Sequence, residues 1–140
     1  MKILLAADGS SYTKKALAFL VTHEALLDAN SELHVLHVQT AIPAHVQSFV
    51  GSDVVAQHHL LEAEFVLKPI RTFLNRHPIT YRADWTVGSP AIEILKAAKK
   101  DKTQMIVMGT HGHGVLGSLV MGSVAQRVVA ESDKPVLLVR

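Results

Sequence analysis

Short apolar runs rich in Ile, Leu and Val recur at residues 3–7, 33–38, 85–87, 105–108 and 136–139, and longer stretches with helical spacing separate them. Runs of this length read as buried strands, and their alternation with helices is the βαβ rhythm of a parallel sheet. The first helical stretch sets Tyr12, Ala16, Phe19, Leu20, His23 and Leu27 on one face, with Lys14, Lys15, Glu24 and Asp28 turned away. A second, from about Asp53 to His77, carries Val54, His58, Leu61 and Phe65 in phase as its inward face, with Ile70, Phe73 and Leu74 one step out of register. Pro69 is expected to kink or divide it. The third opens on Ser89-Pro90, continues through Ala91, Ile94, Leu95 and Ala98, and closes with Lys99-Lys100 at the negative end of the helix dipole. A fourth is expected over residues 119–132, with Met121, Val124, Ala125 and Val128 inward and Pro135 preventing its continuation.

Met105-Ile106-Val107-Met108 is apolar throughout, which requires cover on both faces of the sheet. The pattern therefore predicts one doubly wound α/β domain over residues 1–140, a five-stranded parallel sheet with helices on both faces. In such sheets ligands sit outside the carboxyl ends of the strands, so the long connection 39–52, with Pro43 and Gly51, is placed to lie over a site.

Composition narrows the chemistry. The chain has 140 residues, 49% of them hydrophobic, and no cysteine, which excludes a disulfide scaffold, a thiolate metal site and cysteine nucleophile chemistry. Fourteen Lys and Arg against twelve Asp and Glu leave a formal charge of +2, and no basic run concentrates it, so nucleic acid is not an expected partner. The first apolar run is five residues before Asp8, too short for a signal segment or a membrane span, and the expected location is the cytoplasm.

The densest signal is the stretch from Met108 to Val124, leaving the fourth strand and entering the fourth helix, with glycines at 109, 112, 114, 117 and 122. Glycines let backbone N–H groups turn toward a ligand, and a helix N-terminus adds unpaired donors and partial positive charge, so the segment is built like an anion cradle, with phosphate its natural guest. Gly112 to Gly117 spells the dinucleotide fingerprint, but only 23 residues follow it, too few for the half-domain that a nicotinamide or flavin site needs. Gly117 to Ser123 has P-loop spacing without the lysine, which argues against efficient phosphoryl transfer. Thr110-His111-Gly112-His113 matches a short signature of adenylyl-transferring enzymes, but after the fourth strand rather than the first.

Three segments together, Ile3-Leu4-Leu5-Ala6-Ala7-Asp8-Gly9-Ser10, the spaced set Gly109, Gly112, Gly122 and Ser123, and Lys134-Pro135-Val136-Leu137-Leu138-Val139, resemble the ATP-binding branch of the universal stress protein family over essentially the whole chain. The resemblance implies a Rossmann-like fold of the adenine nucleotide alpha hydrolase type. It also implies that Asp8 stands near the ribose and metal-bound phosphates, with Mg2+ held through the phosphates, and that the backbones of Ala7 and Val38 contribute, Val38 toward adenine. Gly109, Gly112, Gly122 and Ser123 then form the ribose and triphosphate cradle, flanked by Met108 and Val124, with His113 and Gly114 in the loop between. His113 stands where many relatives carry Arg or another polar residue, which makes the charge facing the phosphates depend on histidine protonation.

The other histidines are read more simply. His34 and His37 lie three apart on a strand, point to opposite faces and cannot chelate one ion. His58 and Glu62 are spaced as a solvated pair, and Asp8 has an alternative reading as a carboxylate capping the first helix. The expected function is an ATP-binding (or ADP- or AMP-binding) switch or sensor in stress response, not an enzyme beyond very slow hydrolysis, because no nucleophile and base pair is visible. The alternatives are a weak ATPase or adenylyl transferase using His111 and His113, and an interaction module without nucleotide. A homodimer through Val136–Val139 is expected if that strand forms a sheet edge.

Overall fold

A computed structural model describes residues 1–113 and 120–140. In chain order the elements are β1 (Lys2–Ala6), α1 (Ser11–Thr22), β2 (Glu32–Gln39), α2 (Ala44–Val50), α3 (Ser52–Leu74), β3 (Thr80–Val87), α4 (Pro90–Lys100), β4 (Met105–Gly109), α5 (Ser123–Glu131) and β5 (Val136–Val139). All strand pairs are parallel, in the order β3-β2-β1-β4-β5. The sheet is doubly wound, as the strand and helix alternation predicts. Its switch point lies between β1 and β4, where a crevice opens at the carboxyl ends.

Side-chain alternation along the strands makes two cores. Ile3, Leu5, Leu33, Val35 and Val107 pack against α1 and α3 on one face, while Leu4, Leu36, Ile106 and Met108 pack against α4 and α5 on the other. The central strand β1 is buried on both sides, which is why its sequence is apolar without alternation.

Four differences from the sequence-based expectation each have a physical cause. β3 begins at Thr80, five residues earlier than expected. It is an edge strand with one face covered, by contacts of Tyr81, Ala83 and Trp85 with the α1/α3 core, so Arg82 and Asp84 point to solvent and break the apolar run. The connection 39–52 contains a further helix, α2, none of whose residues is buried. Pro69 does not divide α3, which is one helix of 23 residues. The proline is exposed, so the carbonyl of Phe65, which Pro69 has no N–H to serve, is left on the watery side while Val66, Leu67, Ile70 and Leu74 hold the helix to the sheet.

The fourth difference concerns which side of α3 faces the sheet. Val55, His59, Ala63, Val66, Leu67, Ile70 and Leu74 are buried, whereas Val54, His58, Leu61 and Phe65, expected inward, face solvent. The helix carries two apolar stripes, and the one continuous with Ile70 and Leu74 packs.

Smaller shifts occur at the ends of other helices. α1 stops at Thr22, so His23 is exposed: it lies over the Phe19 ring at 3.9 Å and its Nδ1 reaches the Phe19 carbonyl. α4 has the boundaries its Ser-Pro start and Lys-Lys stop imply. α5 begins at Ser123, with Gly122 as its N-cap. Its expected start at Leu119 lies outside the described residues. No helix among the described residues is long and apolar enough to cross a membrane.

Candidate functional site

The crevice at the switch point is a cleft of about 400 Å3, within the size range of small-molecule sites. Ala6, Leu36, Val38 and Met108 form its floor, on the face that carries α4 and α5, and Pro90 and Ile94 of α4 form an apolar wall. Asp8 and Thr13 border it from the β1–α1 turn, and the segment from Gly109 to His113 with Gly122, Ser123 and Val124 closes the opposite rim. Of the residues singled out from sequence, Ala7, Asp8, Val38, Met108, Gly109, Gly112, His113, Gly122, Ser123 and Val124 all line this cleft. Gly114 lies outside the described residues. Thr13, Thr40, Leu36, Pro90 and Ile94 were not singled out, because nothing in their local sequence distinguishes a wall of a cleft from a core or a loop.

The turn after β1 fixes Asp8 from several directions. Gly9 has φ +79, a conformation that favours glycine, and this lets the chain fold back so that Ser10 N–H donates to Asp8 Oδ1 at 2.9 Å. Thr13 Oγ1 donates to the same oxygen at 2.9 Å and accepts from Asp8 N–H at 3.1 Å. The cap of α1 is Ser10, whose Oγ accepts from Thr13 N–H. Asp8 is thus a turn-forming carboxylate as well as a cleft residue. Its second oxygen, Oδ2, accepts no hydrogen bond from the described residues.

Two glycines are required by close approach. A Cβ on Gly112 would fall 2.7 Å from Asp8 Oδ2, and one on Gly109 would fall 2.4 Å from the Tyr12 Cβ of α1. Gly122 differs: its φ of −61 and ψ of 152 suit any residue, and a Cβ would meet nothing nearer than 3.4 Å. What Gly122 provides is an uncapped helix start. No side chain among the described residues bonds the first N–H groups of α5, and the residues carrying them, Ser123 and Val124, border the cleft.

The histidines of the loop are engaged with backbone. His113 Nε2–H donates to the Asp8 carbonyl at 2.6 Å, tying the loop after β4 to the turn after β1, so only its Nδ1 is left for a ligand. His111 uses both nitrogens, Nε2–H donating to the Val120 carbonyl and Nδ1 accepting from Thr110 Oγ1. A further contact was not foreseen from sequence. Buried His37 donates from Nδ1 to the Ala7 carbonyl at 2.7 Å while Gln39 Nε2 donates to its Nε2 at 2.8 Å, which holds the peptide that leads into Asp8. His34 points to the other face, to Asp101 and Asp84, as the odd spacing requires. Among the described residues no three His, Asp or Glu side chains are grouped to hold a metal ion.

Val38 presents backbone as well as side chain. Leu36 gives its carbonyl to Ala7 N–H. By strand alternation Val38 is the next residue to face that side, where β1 has ended.

The family model described as the universal stress protein family matches residues 1–140. A universal stress protein of Thermus aquaticus is 37% identical, with 99% of this chain and 97% of that protein covered. The solved structure of protein MJ0577 of Methanocaldococcus jannaschii superposes with a TM-score of 0.84 at 30% identity, covering 99% of this chain and 94% of that one. An Arabidopsis thaliana universal stress protein family structure with AMP bound shares the fold at a TM-score of 0.71 and 18% identity, over 99% of this chain and 90% of that one.

Proposed function

This chain belongs to the universal stress protein family, and on that premise we propose that it binds an adenine nucleotide, ATP above all, in the cleft at the switch point and works as a nucleotide-dependent switch in the cytoplasmic stress response. One observation carries the reading. The N-terminus of α5, which no described side chain caps, and Asp8, whose Oδ2 accepts no hydrogen bond from the described residues, border the same cleft, a donor set for phosphate beside an acceptor suited to its counter-cation. The apolar wall of Pro90 and Ile94 over Met108, with the Val38 backbone, suits a flat heterocycle that needs stacking and two backbone hydrogen bonds. The AMP complex of the Arabidopsis relative supports the ligand class.

Mg2+ fits the residues present. A single carboxylate oxygen without a donor among the described residues, next to a phosphate cradle, is the pattern by which Mg2+ is bound through one carboxylate plus substrate oxygens. Bound there, it would neutralise phosphate charge; Asp8 would hold it, and the glycine rim would admit the phosphates without a Cβ in the way. Turnover is at most slow in this reading, since both nitrogens of His111 are occupied and His113 has one committed to Asp8.

A homodimer through β5 belongs to the same proposal. Among the described residues β5 is an edge strand, paired with β4 alone, and its outer backbone groups suit a symmetric partner. Mass analysis of nucleotide released from freshly purified protein tests the central claim: stoichiometric adenine nucleotide is expected. Protein that neither carries nor takes up adenine nucleotide is instead an interaction module, and rapid steady-state ATP turnover makes it an enzyme. A dimer unaffected by Leu138→Pro rejects the β5 interface.

A further inference from the structure

The exposed side of α3 is patterned like the inside of an interface. Val54, His58, Leu61 and Phe65 recur at steps of four, three and four, the a/d spacing of a coiled-coil seam, and Val54, Leu61 and Phe65 are 56%, 62% and 81% exposed. They lie opposite the stripe that packs on the sheet, so rotation of the helix cannot bury both. The preceding helix α2 packs chiefly on α3 and adds Phe49, 92% exposed, with Val46 and Val50. With a full aromatic side chain near ~200 Å2, these side chains leave roughly 650 Å2 of apolar surface in water. A monomer's largest patch is ordinarily ~300–600 Å2, and one side of a stable interface is ~800 Å2.

The charges beside the stripe say what covers it. Asp53 stands exposed in the first turn of α3 and Lys68 stands exposed in its last third, while Glu62 and Glu64 lie near the middle and Arg71 near the end. Glu64 and Arg71 pair within the helix at 3.0 Å, whereas Asp53 and Lys68 have no ion-pair partner among the described residues. A two-fold pairing must be self-complementary. An antiparallel pair centred on Leu61 meets that condition: residue numbers opposite one another then total about 122, which sets Asp53 and Val54 against Lys68 of the second copy and Leu61 against itself.

We propose that α3 is a second self-association surface, distinct from the β5 edge, at which two copies of this chain pair antiparallel through Val54, Leu61 and Phe65, with the α2 side chains covering the flanks. The chain has no cysteine, so a single introduced thiol reports the geometry. Under mild oxidation Leu61→Cys is expected to give a disulfide-linked dimer, while Lys99→Cys, on the opposite face of the sheet, gives none. Phe65→Asp is expected to halve the mass seen by sedimentation without change in circular dichroism. Lys68→Glu should weaken association about tenfold, and Asp53→Lys added to it should restore it. Cross-linking of Leu61→Cys no better than the Lys99→Cys control, or an unchanged mass for Phe65→Asp, overturns the proposal. So does Phe65-dependent flotation with phosphatidylcholine–phosphatidylglycerol vesicles by a chain that does not self-associate, which makes the face a membrane contact.

Discussion

Asp8 and Gly112, more than a hundred positions apart, are fitted to each other: the space that a β-carbon of residue 112 would need is within 2.7 Å of Asp8 Oδ2. The Asp8 oxygen that accepts no hydrogen bond from the described residues is therefore also the one that the glycine rim leaves room for. Gly112→Ala is expected to push the carboxylate aside, lowering affinity for Mg2+-ATP at least tenfold while the circular dichroism spectrum is retained. Titration calorimetry with and without Mg2+ checks this. Asp8→Asn should weaken the metal-dependent part of binding more than the metal-free part, since a carboxylate beside a triphosphate repels it unless a cation bridges them. Equal losses in both conditions assign Asp8 to its turn alone.

Gly122 separates a phosphate cradle from a mere turn. Its backbone angles suit any residue and a single Cβ meets only ordinary contacts, so Gly122→Ala is expected to fold normally. The larger Gly122→Val presses on the backbone of Thr110 to Gly112, and charge-assisted hydrogen bonds there are worth about 1.5–3 kcal/mol each. Its affinity for ATP should fall by well over tenfold with the fold intact. A folded Val variant that binds ATP normally rejects the assignment.

The orientation of α3 gives a paired stability test. Leu67 is fully buried and Leu61 is mostly in water. Leu67→Ala is expected to cost about 2–5 kcal/mol in urea denaturation. Leu61→Ala should stay within about 0.5 kcal/mol when measured on dilute monomer. Comparable losses at the two positions would mean that the helix is turned the other way.

Lys102 offers a gain. It ends α4 in the left-handed region at φ 55, with Lys102 N–H bonded to the Lys99 carbonyl and Thr103 N–H to the Ala98 carbonyl, the bonding of a helix end that ordinarily employs glycine. A side chain there costs about 1–2 kcal/mol, partly offset by the greater unfolded-state entropy of glycine. Lys102→Gly is expected to stabilise the protein by about 0.5–1 kcal/mol on balance, raising Tm by a few degrees in a calorimetric scan.

Local sequence was enough to place the strands that are buried on both faces, because Ile3 to Ala6 and Met105 to Met108 have no alternative to a covered parallel sheet. It also determined the ends of α4, where Ser89, Pro90 and the closing lysines act through local backbone chemistry, and the glycine spacing that brings one rim of the cleft into being. Edge strand β3 was partly hidden, since an exposed face admits Arg82 and Asp84 into the run.

Contacts between residues far apart in the chain were set by the packing of the fold. His113 reaching the Asp8 carbonyl, His37 holding Ala7, and Gly112 yielding space to Asp8 have no signature within any one segment. The two apolar stripes of α3 make the point most sharply. Periodicity reports that a face is apolar but not what it meets, and the sheet chose Val66, Leu67, Ile70 and Leu74 because that stripe runs the length of the contact, leaving Leu61 and Phe65 outward.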